Sequence, residues 1–339
     1  MKRRSKVIII LCLITVILFA YGVFLSPNIF DGDRFVFISR GTSFKEVGDS
    51  LSKAGIIRSR FLFEVAGRIM GTTTKMQIGK YRFRSGVSNW EIIDIIRHGR
   101  TIETIQVTLP EGLTAATYAK ILHEKLAIDS SRFMELVNDS TFAESLGVKG
   151  SRGLMGYLMP KTYKFYWQEN EETIIKTLVN EFWNEFNDDM REALNRRKMT
   201  LNELLTMASI IELETAIDSE RSIIAGVYYN RLKKRMRLQA DPTVQFALGG
   251  ERRRLHYSDL EIESEYNTYK HYGLPPGPIN NPSKSSILAA LYPARHNFLY
   301  FVATGEGGHK FSNSFIEHKQ AIQKYRKNRE ERKISDENG

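Results

Sequence analysis

The chain opens on an unbroken apolar run. Residues 7–25 are nineteen positions without a charge, and Thr15 and Tyr21 are the most polar among them. At 1.5 Å per residue such a helix reaches about 28 Å, close to the hydrocarbon thickness of a bilayer. The pattern then shortens. Arg34-Phe35-Val36-Phe37-Ile38 alternates as a half-buried strand does. Thr42 or Ser43 can cap a helix carrying Phe44, Val47 and Leu51 at helical spacing, and Gly55-Ile56-Ile57 ends it. A second helix is expected over about 59–70. Gly79-Lys80-Tyr81-Arg82-Phe83 alternates again, and Ser88 can cap a helix carrying Trp90, Ile93, Ile95 and Ile96. Gln106-Val107-Thr108-Leu109 predicts a further strand, Pro110-Glu111-Gly112 a turn, and two helices follow. From 171 onward the period is helical, with Ile174, Ile175, Leu178, Val179, Phe182 and Phe186 on one broad face. Near the end, 298–302 and 309–311 flank Gly305-Glu306-Gly307-Gly308 as a hairpin. That glycine cluster lacks the spacing of a phosphate loop, and no helix follows it directly.

Charge adds direction. Lys2, Arg3, Arg4 and Lys6 precede the apolar run, and Ser26-Pro27-Asn28 ends it. The positive-inside rule leaves residues 1–6 in the cytoplasm and the body outside. The expectation is therefore a single-pass protein of the cytoplasmic (inner) membrane. A cleaved signal peptide is the alternative, with Ala20-Tyr21-Gly22 as a small-x-small site. The apolar run continues past that site, which favours an uncleaved anchor. The formal charge is +10, from 49 Lys and Arg against 39 Asp and Glu. Most of it sits in residues 1–6 and 319–333, and the body between them keeps about +3. A nucleic-acid binder carries its charge on the folded domain, so nucleic acid is not an expected partner. Cys12 is the one cysteine, which excludes a disulfide framework or a cysteine zinc site within the chain. No metal-ligand spacing is visible, and no cofactor or metal is expected.

The elements read as an α+β protein. We expect a tail at 1–6, a transmembrane anchor at 7–25, a linker at 26–32, and an α+β region at 33–150. A mainly helical catalytic domain with a small hairpin sheet follows at 151–318, and a basic tail at 319–339. The boundary near 150 rests on Gly147, Gly150, Gly153 and Gly156. Strand, two helices and strand within about fifty residues, opened by Gly41-Thr42-Ser43, resemble a LysM-type unit. That resemblance implies binding to N-acetylglucosamine polymers, or a scaffolding role alone.

Chemistry is expected between 200 and 310. Met207-Ala208-Ser209-Ile210-Ile211-Glu212-Leu213-Glu214-Thr215 reads as a helix with Leu204, Ala208, Ile211 and Thr215 along one stripe. Glu212 and Glu214 lie about 200° apart around it, so they cannot both face one cleft. Periodicity does not choose between them. Four of the nine prolines fall in 275–282, beside Tyr266-Asn267-Thr268-Tyr269. A stiff proline loop near Tyr and Asn can wall a sugar groove. Aromatic rings pack on pyranose faces and amides satisfy hydroxyls. Asp241 before Pro242 either lines a site or only caps a helix. His309 either touches substrate or packs beside the hairpin turn. Arg231, Lys233, Lys234, Arg235 and Arg237 read first as a solvated basic face, or else as contacts for peptide carboxylates.

Several blocks in register resemble one family, the endolytic murein transglycosylases of the YceG-like type. They are Ala208-Ser209-Ile210-Ile211-Glu212-x-Glu214-Thr215, Asn230-Arg231-Leu232, Leu238-Gln239-x-Asp241-Pro242-Thr243-Val244, Tyr266-Asn267-Thr268-Tyr269 and Gly273-Leu274-Pro275-Pro276-Gly277-x-Ile279. Tyr300-Phe301-Val302 with Gly307-Gly308-His309-x-Phe311 completes the set. The resemblance implies a membrane-anchored lytic transglycosylase. It would cut nascent peptidoglycan glycan strands between N-acetylmuramic acid and N-acetylglucosamine. The products would carry 1,6-anhydro ends, and the cut would end strand elongation near peptidoglycan synthases. It implies Glu214 as the single catalytic acid/base, with Glu212 as the fallback. Met207, Ile210 and Ile211 are expected as the apolar wall beside it. Glu220, Asn230, Gln239, Asp241, Tyr266, Asn267 and Thr268 are candidates for binding and orienting the sugar or for orienting Glu214. Two other readings stand beside it: a peptidoglycan-binding scaffold without activity, and a two-carboxylate hydrolase pairing Glu214 with Asp241.

Overall fold

Ser43 and Ser88 each begin a helix in the same way. Each hydroxyl accepts from the backbone N–H three residues on, and Glu46 or Glu91 reaches back to the cap's own N–H. These caps set the frame of the first of two compact units in a computed structural model that describes residues 2–250, 253–305 and 307–337. That unit holds residues 1–107 with short returns at 122–128 and 163–170. Its elements are α1 (Lys2–Ala20), β1 (Arg34–Ile38), α2 (Phe44–Lys53), α3 (Arg60–Ile69), β2 (Gly79–Phe83), α4 (Asn89–His98) and β3 (Ile102–Glu103). β1 pairs antiparallel with β2 from Arg34↔Phe83 to Ile38↔Gly79, and β3 continues the sheet along β2. Val36, Ile38, Tyr81 and Phe83 point inward, while Phe35 and Phe37 face out. α2 and α3 meet through stacked rings, Phe44 on Phe63 at 4.9 Å. Gly67 lets them close, since a Cβ there would collide with the Phe44 ring. α4 buries Ile92, Ile93 and Ile96 and leaves Trp90 exposed.

The apolar N-terminal helix with the turn after it runs from Arg4 to Leu25, long and apolar enough to cross a membrane. Its end is not free. Val23 is 1% exposed within the core of the first unit, and its carbonyl accepts from Asn89 Nδ2 at 2.9 Å. Residues 26–32, expected as a linker, are held as well. Asn28 is buried between Val87 and Arg58, bonded to both backbones, and Phe30 lies in the same core.

The second unit holds residues 108–121, 129–162 and 171–339. The glycine cluster near 150, read in sequence as a boundary, lies inside it. The chain passes between the units within β4 (Ile105–Leu109) and β5 (Lys161–Phe165), which pair as a two-stranded sheet. Around them come α5 (Ala115–Leu126), α6 (Ser130–Asn138), α7 (Ser140–Ser145), α8 (Glu171–Glu185) and α9 (Asp188–Arg197). Then follow α10 (Leu201–Glu214), α11 (Asp218–Lys233), α12 (Asp241–Ala247), α13 (Lys284–Leu291), the hairpin β6 (Tyr300–Ala303) with β7 (His309–Ser312), and α14 (Phe315–Glu337). α8 buries the expected face.

α10 is the central helix. Every residue from Leu204 to Glu212 is buried, so the one-sided stripe expected from its sequence is a helix enclosed on all sides. α13 packs on both α10 and α11. The proline-rich segment runs along α10, with Ile279 N donating to Ser209 Oγ at 3.0 Å and Asn280 Nδ2 to Ser209 O at 2.7 Å. A side-chain hydroxyl and a side-chain amide thereby pair backbone groups of the segment and of α10.

Candidate active site

Where α10 stops, Thr215 turns the chain into an extended conformation (φ −147°, ψ 141°). Glu214 is thereby the last helical residue, half-buried at the end of an otherwise enclosed helix. Its carboxylate receives the Tyr228 hydroxyl from α11. Around it lies a cavity of about 270 Å³ lined by Glu214, Tyr228, Arg231, Gln239, Asp241 and Tyr269, with Leu238, Phe301 and His318. Two cavities of this unit are larger, about 620 and 540 Å³. Size does not mark the site; the convergence of two carboxyls, a guanidinium and two phenols does.

Burial pushes the Glu214 carboxyl up from its ordinary 4.5 to about 7. The Tyr228 hydrogen bond opposes the rise, the nearby Asp241 charge adds to it, and Arg231 works against it. Tyr228 is itself pushed well upward, by burial first and the Glu214 charge second, so it stays a donor. Tyr269 is raised by burial and by its bond to Asp241, to which its hydroxyl donates at 2.6 Å. Arg231 is 8% exposed and braced by carbonyls: Nε donates to Leu299 O at 2.7 Å and Nη1 to Leu238 O at 2.8 Å. Its charge is therefore fixed beside the cavity.

The site residues expected from sequence divide into two groups. Gln239 and Asp241 line the cavity with Glu214. Asp241 does not cap its helix; Ala240 holds that position, and no side chain caps it. Gln239 sits at φ +50°, a left-handed conformation that costs a non-glycine residue about 1 kcal/mol or more. Its N–H donates to Thr268 O at 3.2 Å. Glu220, Asn230, Tyr266, Asn267 and Thr268 do not line the cavity, and each holds a neighbour. Glu220 accepts from Thr215 Oγ1 at 3.1 Å and from His309 N and Nδ1, both at 2.7 Å. Burial works to raise the Glu220 carboxyl, but those bonds outweigh it and hold it below its ordinary range. His309 is thus the hairpin's tie to α11. Asn230 Nδ2 donates to His296 O and Phe298 O. Asn267 binds Leu260 O and Ile262 O and receives Tyr269 N, which fixes the segment carrying Tyr269. Thr268 Oγ1 receives Ala240 N at 2.9 Å. Tyr266 packs on Phe246 at 4.8 Å.

Glu212 faces away, as the 200° separation requires. It pairs with Arg221 at 3.1 Å and receives Ser283 N at 2.8 Å and Ser283 Oγ at 2.5 Å. The apolar wall is also corrected: Met207, Ile210 and Ile211 are fully buried, and Leu238, Phe301 and the Tyr228 ring stand at the cavity instead. The proline segment lines a separate cavity of about 110 Å³ through Ile279. Arg231, grouped in sequence with a basic surface run, is the clearest miss. Its position three residues after Tyr228 on one helix face was the available signal. Among the described residues no group of His, Cys, Asp and Glu is placed to hold a metal ion.

A carboxyl kept near neutrality by burial, in a polar cleft, is what general acid–base catalysis requires. Residues 36–324 match the YceG-like family, and the chain belongs to it. It is 34% identical over 302 residues to the endolytic murein transglycosylase of Bacillus subtilis, covering 85% of this chain and 83% of that one. It is 30% identical over 318 residues to the endolytic murein transglycosylase of Streptococcus pneumoniae, covering 84% of this chain and 57% of that longer one. The crystal structure of a YceG-like protein from Listeria monocytogenes, 33% identical, aligns with a TM-score of 0.61 over 85% of this chain and 98% of that one.

Proposed function

We propose that this protein is an endolytic murein transglycosylase, anchored by its N-terminal helix and acting on peptidoglycan strands at the outer face of the cytoplasmic membrane. The observation that carries the reading is Glu214 at the end of α10, in the polar cavity it shares with Tyr228, Arg231 and Asp241, where burial raises its carboxyl to about 7. Protonated Glu214 gives its proton to the glycosidic oxygen between N-acetylmuramic acid and N-acetylglucosamine as that bond breaks. The carboxylate then takes the proton of the muramic C6 hydroxyl while that oxygen closes on C1. The product end is 1,6-anhydromuramoyl, and no water is consumed. A carboxyl that changes charge near neutral pH suits both halves of this cycle. Arg231 and Tyr228 stabilise the carboxylate stage, and Asp241 bears on the charge that develops at C1. Gln239 and Tyr269 offer polar contacts to sugar hydroxyls. Ending strand elongation near the synthases is the role that fits an anchored cutter of nascent strands. In the first unit, the β1–α2–α3–β2 order supports a LysM-like module.

Asp241 in the same cavity gives the two-carboxylate hydrolase a specific footing. The two are separated by product. Purified peptidoglycan is incubated with wild type and Glu214→Gln, and released ends are read by mass spectrometry. Anhydro ends from wild type alone are expected. Reducing ends would replace the transglycosylase with the hydrolase, and no release would favour a binding protein.

A further inference from the structure

α11 has two working faces. Tyr228 and Arg231 look into the Glu214 cavity. Gly226, Tyr229, Asn230 and Lys233 follow the i, i+3, i+4, i+7 pattern and form the floor of a second cavity, of about 540 Å³. Pro293, Ala294, Arg295, His296 and Asn297 make one wall, and Arg197 of α9 the other. Gly226 allows this closure. A Cβ there would collide with His296 Nε2 and fall 2.6 Å from Ala294 O.

The lining has a one-sided charge: Arg197, Lys233 and Arg295, with no Asp or Glu. Among the described residues, none of the three makes an ion pair. Arg197 is held in place for a ligand. Its Nε donates to Leu291 O at 2.5 Å and its guanidinium stacks over Tyr229 at 4.8 Å, which leaves further N–H groups to donate. Tyr229 is fixed in turn by Ala290 O at 2.9 Å. His296 serves the wall itself. Its Nε2 donates to Ile223 O and its Nδ1 accepts from Phe298 N, so both nitrogens are spent on ordering the wall.

We infer that this cavity binds the carboxylates of the peptide that substitutes the muramic acid of the strand being cut. The inference rests on the proposed transglycosylase activity and names a subsite for it. The reach is right. A helix with its side chains is about 10–12 Å across. A stem of three to five residues, extended at 3.3–3.6 Å each, spans roughly 10–18 Å. The path half-way around such a helix is roughly 16–19 Å, so a muramic residue at Glu214 can send a stem of five residues, though not one of three, around α11 to the basic cavity. The same side chains would also hold a phosphate, and the test separates the two.

Full-length enzyme in detergent is assayed on glycan strands with intact peptides and on strands stripped of peptide by an amidase, both free of attached phosphate polymers, and on a third set that keeps those polymers. The variant is Lys233→Ala with Arg295→Ala, two exposed residues remote from the Glu214 cavity. Exposed charge contacts are individually weak, so the pair is expected to lower kcat/KM roughly 3–10-fold on peptide-bearing strands, and less at high salt. On stripped strands the variant is expected to match wild type. Equal loss on both substrates, or no loss on either, overturns the subsite. A loss seen only on strands carrying phosphate polymers assigns the cavity to phosphate and overturns it too. Wild type cutting neither substrate overturns the activity itself, a result distinct from all of these.

Discussion

Replacing Glu214 by Gln removes a titration and leaves the shape nearly unchanged. In the folded protein the carboxyl holds its proton to about pH 7, against an ordinary 4.5. Between those values the native state binds more protons than the unfolded chain, so stability falls as pH rises. The contribution is present in full below about 4.5 and is lost as pH passes 7. That interval corresponds to about 3 kcal/mol, at 1.36 kcal/mol per pH unit. The amide of the Glu214→Gln variant has no such dependence. The stability of Glu214→Gln minus that of wild type should therefore rise by about 3 kcal/mol between pH 4.5 and pH 8. Urea unfolding of both proteins at several pH values reads this directly, because every other titrating group is common to the two. A difference that stays flat within about 0.5 kcal/mol would mean that the carboxyl ionises normally and that burial is not what holds it neutral. The same ionisation should govern catalysis, so wild-type kcat/KM falls about tenfold per pH unit above 7.

Tyr228→Phe removes the hydrogen bond that favours the Glu214 carboxylate, so the alkaline limb of the pH–rate profile should move above 7. Glu212→Gln strips the buried partner of Arg221 and should cost about 3–5 kcal/mol in denaturant unfolding, while that alkaline limb stays where it is in wild type. Gln239→Gly relieves the left-handed backbone at φ +50°. An ordinary glycine substitution costs about 0.5–1 kcal/mol; here stability should hold or rise while turnover falls.

Local chemistry was readable in advance and three-dimensional convergence was not. Strands β1 and β2 and the cap at Ser88 follow from neighbours in sequence and stand as expected, and of Thr42 and Ser43 it is Ser43 that caps α2; the short β3 had no such signal. The opposition of Glu212 and Glu214 follows from helix geometry alone. Which one meets a cation depended on Arg221 and Ser283, nine and seventy-one residues from Glu212 in sequence. Arg231 was hidden for a similar reason. Within a run of basic residues nothing local shows that one guanidinium turns inward to three carbonyls. Asn230, Asn267 and Thr268 belong to motif blocks, but their amides and hydroxyl are consumed by backbone. Such blocks mark the scaffold of a site as strongly as its reacting groups.

The burial of Val23 and Asn28 has a mechanical meaning. A flexible tether lets a domain wander over a membrane at variable height. Here the helix ends inside the core it carries, with Asn89 gripping its last turn and Asn28 pinned to Val87 and Arg58. There is no slack to take up. If the helix spans a bilayer, as proposed, tilting it tilts the first unit with it, and the lipid thickness that sets the helix's angle also sets how that unit is presented. In that setting membrane thickness becomes an input to the protein, one that loss of the Val23 and Asn28 contacts would disconnect.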